Sequence, residues 1–211
     1  MRFITLRILA IFLMILGGIG WFGGTFDFPW AGSSYERPLG NLQGISVDSS
    51  GNIYCGVRHY KRVQKYDPSG NFIYSLRVHS AGGVFRLRVN SNDELEVTTA
   101  RTDCFYRYSS TGELLERKDN VRFSLNEYDY KEGNQCMGPA SSTYRIRSSF
   151  LFPSIEKTSL AGKSTVVSMS ISKWLIMGPF PAWFFLILGL IMHGVLDRLK
   201  KKRRRNLDNS N

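Results

Sequence analysis

The sequence has little of what catalytic and metal-binding sites are made of. Its 211 residues include three histidines and three cysteines, and Cys55, Cys104 and Cys136 are too far apart for a zinc site or a disulfide framework. The HExxH, CxxC and G-x-S-x-G patterns and glycine-rich phosphate loops are all missing. These absences favour a non-enzymatic protein that uses no metal and no cofactor.

Negative charge is also scarce. The chain has 28 Lys and Arg residues against 17 Asp and Glu residues, which gives a formal net charge of +11. The excess is concentrated at the ends, because the tail from Asp197 onward carries +5 and residues 27–173 carry only +4. A middle region that is only mildly basic gives little support to nucleic-acid binding.

Two runs lack charge altogether. Residues 8–26 form an uncharged run of 19 residues, and residues 174–196 form one of 23. About 20 apolar residues in a helix cross a bilayer, so the sequence predicts one transmembrane helix in 1–26 and another in 173–197. The first run, after its basic start, also fits a cleaved signal peptide, which would leave a single span. The missing A-x-A cleavage pattern favours an uncleaved anchor.

Charge beside the two runs predicts their orientation. Basic residues next to a span resist translocation, so Arg2, Arg7 and the polybasic tail 198–211 are expected in the cytoplasm. Residues 27–172 are then expected outside the plasma membrane. Their first part, 27–41, is rich in Gly, Pro, Ser and aromatic residues and is predicted to be a linker. The lipid bilayer is the first expected partner.

Short strands and turn signals alternate in the remaining region. Asp48 and Asp67 each begin a turn in which their carboxylates can accept local N–H groups, and this position favours a turn role over calcium binding. Gly51 and Gly70 supply the positive φ that such turns need. The two five-residue signals recur along the chain: 48–52 and 67–71 are followed by 90–94 and 109–113, then by 130–134 and 159–163. A period of about 40 to 45 residues with four strands is typical of a propeller blade.

The first repeat also resembles a known family. Segments 42–48 (LQGISVD), 51–54 (GNIY) and 62–67 (RVQKYD), followed by Gly70, are similar to an NHL repeat. The resemblance implies antiparallel blades at about 42–82, 83–122 and 123–172. NHL domains are closed propellers that bind protein, peptide or RNA, and related propellers include lactonases and lyases. Three blades make an incomplete propeller, whose open edges need capping or a partner chain.

The predicted fold class is therefore a mainly β extracytoplasmic domain, built as an incomplete propeller of antiparallel sheets in residues 42–172. One N-terminal and one C-terminal transmembrane helix flank it. The candidate ligand-binding residues lie between two strands of the first repeat, where propeller loops often face a ligand. They are Arg58, His59, Tyr60, Lys61 and Arg62. The alternative is that these residues form an ordinary solvated loop.

Three functions are compatible with this organisation. The first is a membrane-anchored binding or scaffolding protein of unknown ligand, for which another protein, lipid headgroups or an anionic envelope polymer would suit the basic cluster. The second is an envelope enzyme of the propeller lactonase or lyase type, completed by formation of a homo-oligomer. The third is a small accessory subunit of a membrane complex. The scarcity of reactive residues favours the first.

Overall fold

The structure is a computed structural model that describes residues 2–25, 34–121, 132–148, 152–169 and 171–208. The chain divides into two compact units, a helical unit formed by residues 1–26 with 172–211 and a β domain formed by residues 27–171. Three helices are described: α1 (Arg2–Thr25), α2 (Ile171–Met177) and α3 (Pro179–Asp208).

The β domain consists of three four-stranded antiparallel sheets, here called blades, in which each strand pairs with the next one in the chain. Blade 1 contains β1 (Leu42–Val47), β2 (Ile53–Val57), β3 (Arg62–Tyr66) and β4 (Phe72–Arg77). Blade 2 contains β5 (Phe85–Val89), β6 (Leu95–Thr99), β7 (Phe105–Tyr108) and β8 (Leu114–Lys118). Blade 3 contains β9 (Gln135–Met137), β10 (Thr143–Ser148), β11 (Ser154–Ser159) and β12 (Gly162–Ser168). The predicted fold class, propeller-like antiparallel sheets with a long apolar helix at each end of the chain, is confirmed.

The turn between the first two strands of each blade repeats closely. In 48–52, 90–94 and 138–142 the N–H of the first residue donates to the carbonyl oxygen of the fifth, at 3.1, 3.0 and 2.8 Å. The prediction of the third copy at 130–134 was therefore wrong. Residues 132–134 form a 3₁₀ turn before β9, and residues 130 and 131 lie outside the described part of the chain. The third repeat has extra residues before its first strand, β9. The turn that follows β9 therefore lies further along the chain than a constant repeat length predicts.

Blade 1 lies between the other two blades. One apolar cluster joins blade 1 to blade 3, and a second joins it to blade 2. All of β2 and all of β3 are buried, as expected for strands that are covered on both faces. The cluster shared with blade 3 includes Ile53, Cys55, Val57, Tyr144, Ile146 and Ile155, and the cluster shared with blade 2 includes Tyr54, Val63, Phe85, Leu95 and Val97.

In the helical unit, α1 and α3 pack against each other through small residues. A Cβ on Gly17 would lie 2.4 Å from the backbone nitrogen of Leu186, and one on Gly189 would lie 2.8 Å from the carbonyl oxygen of Ala10. These pairs show that the two helices run antiparallel. Both helices are long and apolar enough to cross a membrane, over Ile4–Phe22 and Phe180–Lys202.

The second apolar run is divided between two helices. Gly178 separates α2 from α3, and its N–H still donates to the carbonyl oxygen of Trp174 at 2.8 Å. Pro179 begins α3, since a proline has no N–H to lose at the first helical position and disfavours helix in the residue before it. The run is therefore broken at Gly178 and is not one continuous helix. The described part of the polybasic tail continues α3 as helix.

Candidate binding site at the loop end of the sheets

The two ends of the blades differ in their connections. One end, here called the turn end, carries the tight turns 48–52, 67–71, 90–94, 109–113, 138–142 and 159–162. The opposite end, here called the loop end, carries the longer connections 58–61, 78–84 and 100–104. The predicted ligand-binding residues 58–62 lie at the loop end of blade 1.

The five predicted residues do not share one environment. Arg58, His59 and Tyr60 form a 3₁₀ turn, and Lys61 follows with a φ of 53° before β3 begins at Arg62. Tyr60 and Arg62 are buried, whereas Arg58, His59 and Lys61 remain partly exposed. The structure therefore leaves three of the five side chains partly exposed and places the other two in the packing of the domain.

Tyr60 is covered by the chain that precedes β1, and Arg62 is bonded to β4. The guanidinium of Arg37 lies 5.5 Å from the ring of Tyr35 and 5.8 Å from the ring of Tyr60, and a cation placed over aromatic rings in this way is favourable. The Arg62 guanidinium donates to the Ser75 hydroxyl at 3.1 Å. Residues of the predicted linker 27–41 thus form part of the packed domain in the described range 34–41.

A buried glutamine fixes that segment. The side chain of Gln64 accepts from the backbone N–H of Arg37 at 2.6 Å and donates to the Arg37 carbonyl oxygen at 3.1 Å. It also donates to the hydroxyl of Tyr66 at 2.9 Å. A buried amide with these partners satisfies most of its hydrogen-bonding capacity. Sequence reasoning missed Gln64, although an amide in a strand that is otherwise buried was a usable signal.

His59 is held in its neutral form. Burial, and then the nearby positive charge of Lys61, lower the pKa of His59 to about 4. Its ring meets the ring of Tyr60 edge to face, with 4.8 Å between centroids. At neutral pH the positive charge of the cluster therefore comes from its arginine and lysine side chains.

The shifted pKa of His59 predicts a loss of stability in mild acid. An unfolded chain protonates this histidine near pH 6.5, whereas the folded protein resists protonation down to about pH 4. The unfolded state therefore binds more protons between these values, and the free energy of unfolding should fall by about 1–3 kcal/mol as the pH falls from 6.5 to 4.5. Urea unfolding at a series of pH values checks this, and His59→Gln should lose most of the slope. If the free energy of unfolding of His59→Gln depends on pH as strongly as that of the unmodified protein, another group causes the loss of stability.

Three loops form one continuous surface at the loop end. The Val78 N–H donates to the carbonyl oxygen of Lys61 at 2.7 Å, which joins the first loop to the second. The Thr102 hydroxyl donates to the carbonyl oxygen of His79 at 2.8 Å, which joins the second loop to the third. The basic side chains on this surface are Arg58, Lys61 and Arg101, with Arg77 at the end of β4.

The turn end carries carboxylates instead. Asp67 accepts from the N–H of Ser69 at 2.9 Å and of Asn71 at 2.8 Å, and bonds from the side chain and backbone of Asn71 hold its pKa below the usual range. Asp48 accepts from the backbone of Asn52 at 2.8 Å. Both aspartates have the turn role that the sequence predicts. The described residues contain no cluster of three His, Cys, Asp or Glu side chains that could hold a metal ion.

A buried lysine joins blade 1 to blade 2 at the turn end. The ammonium group of Lys65 lies 3.5 Å from the Asp48 carboxylate and donates to the carbonyl oxygen of Ser110 at 2.9 Å. It also lies 4.9 Å from the centroid of the Tyr54 ring. Burial, followed by the neighbouring Tyr74 and Asp48, raises the pKa of Tyr54 far above its usual range, so this phenol stays neutral. Sequence reasoning treated Asp48 as a turn residue only and missed Lys65.

No protein-family model and no curated protein sequence matches the chain. Among solved structures, it is similar to a streptogramin B lyase, with 14% identity and a TM-score of 0.35, over 63% of this chain and 42% of the lyase. It is also similar to a protein from Bacteroides caccae, with 13% identity and a TM-score of 0.35, over 64% of this chain and 49% of the other. A virginiamycin B lyase from Staphylococcus aureus shares 13% identity at a TM-score of 0.34, over 64% of this chain and 44% of the lyase. The chain therefore spans less than half the length of each.

Proposed function

We propose that the protein is a membrane-anchored binding or scaffolding protein that displays its NHL-like β domain outside the cytoplasm. The two apolar helices cross the plasma membrane, and both termini lie in the cytoplasm. The basic loop end of the β domain provides the surface for an anionic partner. The observation that carries the proposal is the antiparallel pairing of α1 and α3, which brings their cationic flanks together.

Contacts at one end of the helix pair support the placement of both termini on the same side of the membrane. Arg7 near the start of α1 donates to the carboxylate of Asp197, the last residue before the basic stretch of α3. The Nε2 atom of His193 lies 3.5 Å from the same carboxylate. Because basic residues beside a span resist translocation, flanks that meet at one end of the pair favour the same side of the membrane.

The close contact between the helices supports a two-span anchor over a cleaved signal peptide. Ala10 and Gly17 on α1 and Ala182 and Gly189 on α3 are each seven residues apart, and they let the two backbones meet. Small residues at such contacts are the usual means by which membrane helices associate, since lipid offers no hydrophobic driving force between them. A signal peptide has no need of this complementarity.

Ion pairs on the outer faces of blades 2 and 3 support the proposal that the domain is complete with three blades. On blade 2, Arg88 pairs with Glu96 at 2.5 Å and Arg107 pairs with Glu116 at 3.1 Å. On blade 3, Glu156 pairs with Arg147 at 3.4 Å and with Lys163 at 2.6 Å. Covering ion-paired faces with further blades would require these charges to lose water. This favours a binding domain over an enzyme whose ring is completed by other copies.

Cysteine accessibility tests the proposed topology. Leu160 is fully exposed at the turn end, and Asn206 is exposed near the end of α3. A membrane-impermeant maleimide added to intact cells should label Leu160→Cys, and should label Asn206→Cys only after permeabilisation. The unmodified protein is the control, because Cys55 and Cys104 are buried and Cys136 is half-buried. Labelling of Asn206→Cys in intact cells would refute the orientation.

A further inference from the structure

Positive and negative charge are segregated along the blades. Of the seven Lys and Arg residues between residues 49 and 92, five lie in the loop-end connections or within two residues of them, and Lys65 and Arg88 lie towards the turn end. The single acidic residue in this range, Asp67, lies at the turn end. The carboxylates Asp48, Asp93 and Glu94 also lie at the turn end, where Asp93 accepts bonds from both the N–H and the hydroxyl of Ser49. The β domain therefore has a basic loop end and a more acidic turn end.

The loop end is positive even after its own carboxylates are counted. Within 58–61, 78–84 and 100–104 the single acidic residue is Asp103, against Arg58, Lys61 and Arg101. Asp119, which follows β8, also lies at this end, where it accepts from the Cys104 thiol at 3.2 Å and pairs with Arg117 at 2.9 Å. The guanidinium of Arg101 donates to the carbonyl oxygen of Ala81 at 3.2 Å, a bond that orients the side chain without neutralising its charge. The loop end thus presents fixed cations on a continuous surface.

The chain leaves the β domain at this same end. β1 begins at the loop end, because Leu42 pairs with Val57, the last residue before the 3₁₀ turn of blade 1. β12 finishes there too, because Ser168 pairs with Ser154 at the start of β11. Since α2 follows β12 in the sequence, the covalent connection to the C-terminal apolar helices starts from the basic end.

We propose that the loop end of the β domain binds the phosphate-bearing headgroups of anionic phospholipids. The inference rests on the membrane anchoring proposed above and assigns the anionic partner of the same surface. A basic surface at the end from which the chain continues to α2 is tethered to the bilayer in the proposed topology, and tethering provides a high local concentration of headgroups. Each basic residue near an anionic bilayer strengthens the contact by about fivefold, and salt weakens it.

Hydrogen–deuterium exchange of the full-length protein in lipid nanodiscs tests the proposal. Discs of phosphatidylcholine with phosphatidylglycerol are compared with discs of phosphatidylcholine alone. Amide exchange in 58–61, 78–84 and 100–104 should be several-fold slower in the anionic discs, and 0.5 M salt, about five times the ionic strength at which the Debye length is 10 Å, should remove the difference. Because exchange is read loop by loop, lipid binding by the polybasic tail does not affect the result.

Two variants with equal loss of charge provide the comparison. Arg58→Gln/Lys61→Gln/Arg101→Gln removes three cations from the loop end, and Arg88→Gln/Arg145→Gln/Lys163→Gln removes three exposed cations from elsewhere on the domain. The first variant should lose the lipid-dependent protection and the second should keep it. Equal exchange in both kinds of disc, or equal loss in both variants, would overturn the proposal. Protection by soluble glycerol phosphate in phosphatidylcholine discs would also overturn it, in favour of a soluble anion.

The topology test and the exchange test can fail independently. Correct labelling of Leu160→Cys with no lipid-dependent protection would leave the anchored domain standing and remove lipid as its partner. Labelling of Asn206→Cys in intact cells would instead refute the orientation itself.

Discussion

Replacing Gly70 by alanine should destabilise the β domain by at least about 3 kcal/mol, since both backbone strain and a clash oppose the new methyl group. Gly70 has a φ of +87°, and a Cβ there would lie 1.7 Å from the carbonyl oxygen of Val166 on β12. Relief of that clash requires the 67–71 turn of blade 1 to move away from blade 3. The apolar cluster that the two blades share would then open.

Equivalent glycines in the other blades serve as matched controls. Gly112 has a φ of +91°, and its Cβ would meet side-chain atoms of Leu76 and Tyr74 at 3.2 Å. Gly162 has a φ of +114° and no atom within 4 Å of the Cβ position. Alanine at Gly162 should therefore cost only the strain of the left-handed conformation, about 1 kcal/mol. The loss should follow the order Gly70, Gly112, Gly162.

Urea unfolding of the full-length protein in detergent, followed by near-ultraviolet circular dichroism of the buried tyrosines, measures this series. Equal losses in all three variants would show that backbone strain alone matters. In that case the proposed packing of blade 1 against blade 3 at this turn would be wrong.

Breaking the buried pair of Lys65 and Asp48 should cost about 3 kcal/mol, because the remaining charge is left uncompensated. Lys65 is 5% exposed and Asp48 is 4% exposed, so water reaches neither well. Asp48→Asn removes the charge and keeps the turn, since Asn90 already occupies the equivalent position in blade 2 and accepts from the N–H of Asn92 at 2.9 Å. Lys65→Met removes the partner charge at similar length.

A double-mutant cycle separates the pair from its surroundings. Asp48→Asn/Lys65→Met should lose less free energy of unfolding than the sum of the single losses, with a coupling of about 1–3 kcal/mol. Urea unfolding of the four proteins under one set of conditions provides the values. Additive losses would mean that the 3.5 Å approach of the two groups contributes no coupling.

The sequence predicts the strands and most turns because each has a local cause. Asp or Asn begins a turn by accepting nearby N–H groups, and glycine provides the positive φ, so 48–52 and 67–71 are readable without the fold. The third copy was misplaced at 130–134 because 138–142 contains none of the Asp or Asn residues that mark the first two copies. Its backbone bonds repeat the pattern with different residues.

The order in which the blades stack could not be predicted from local sequence signals. Alternation along a strand shows which residues are apolar and does not show which neighbour covers them. In β2, the buried residues Tyr54 and Cys55 face blade 2 and blade 3 respectively. The near absence of polar residues in this strand was the available signal that both of its faces are covered.

The position of residues 58–61 between two strands was predicted from the sequence, and their exposure was predicted only in part. A run of basic and aromatic residues between two strands indicates a loop surface, which holds for Arg58 and Lys61. The burial of Tyr60 depends on Arg37, 23 residues earlier in the chain, and no local pattern predicts that contact. The close contact between α1 and α3 is also not predicted by a local pattern. The register of one helix against the other decides which small residues meet, and these are Gly17 and Gly189.

Trypsin digestion of sealed and opened cells tests the central claim most directly, because residues 198–205 provide seven cleavage sites on one short segment. The two-span account predicts that trypsin added to sealed cells leaves this segment whole while it can cut at exposed lysines and arginines of the β domain. After the cells are opened, mass spectrometry should find the segment cleaved. Cleavage of residues 198–205 in sealed cells, with the β domain protected, would contradict the account.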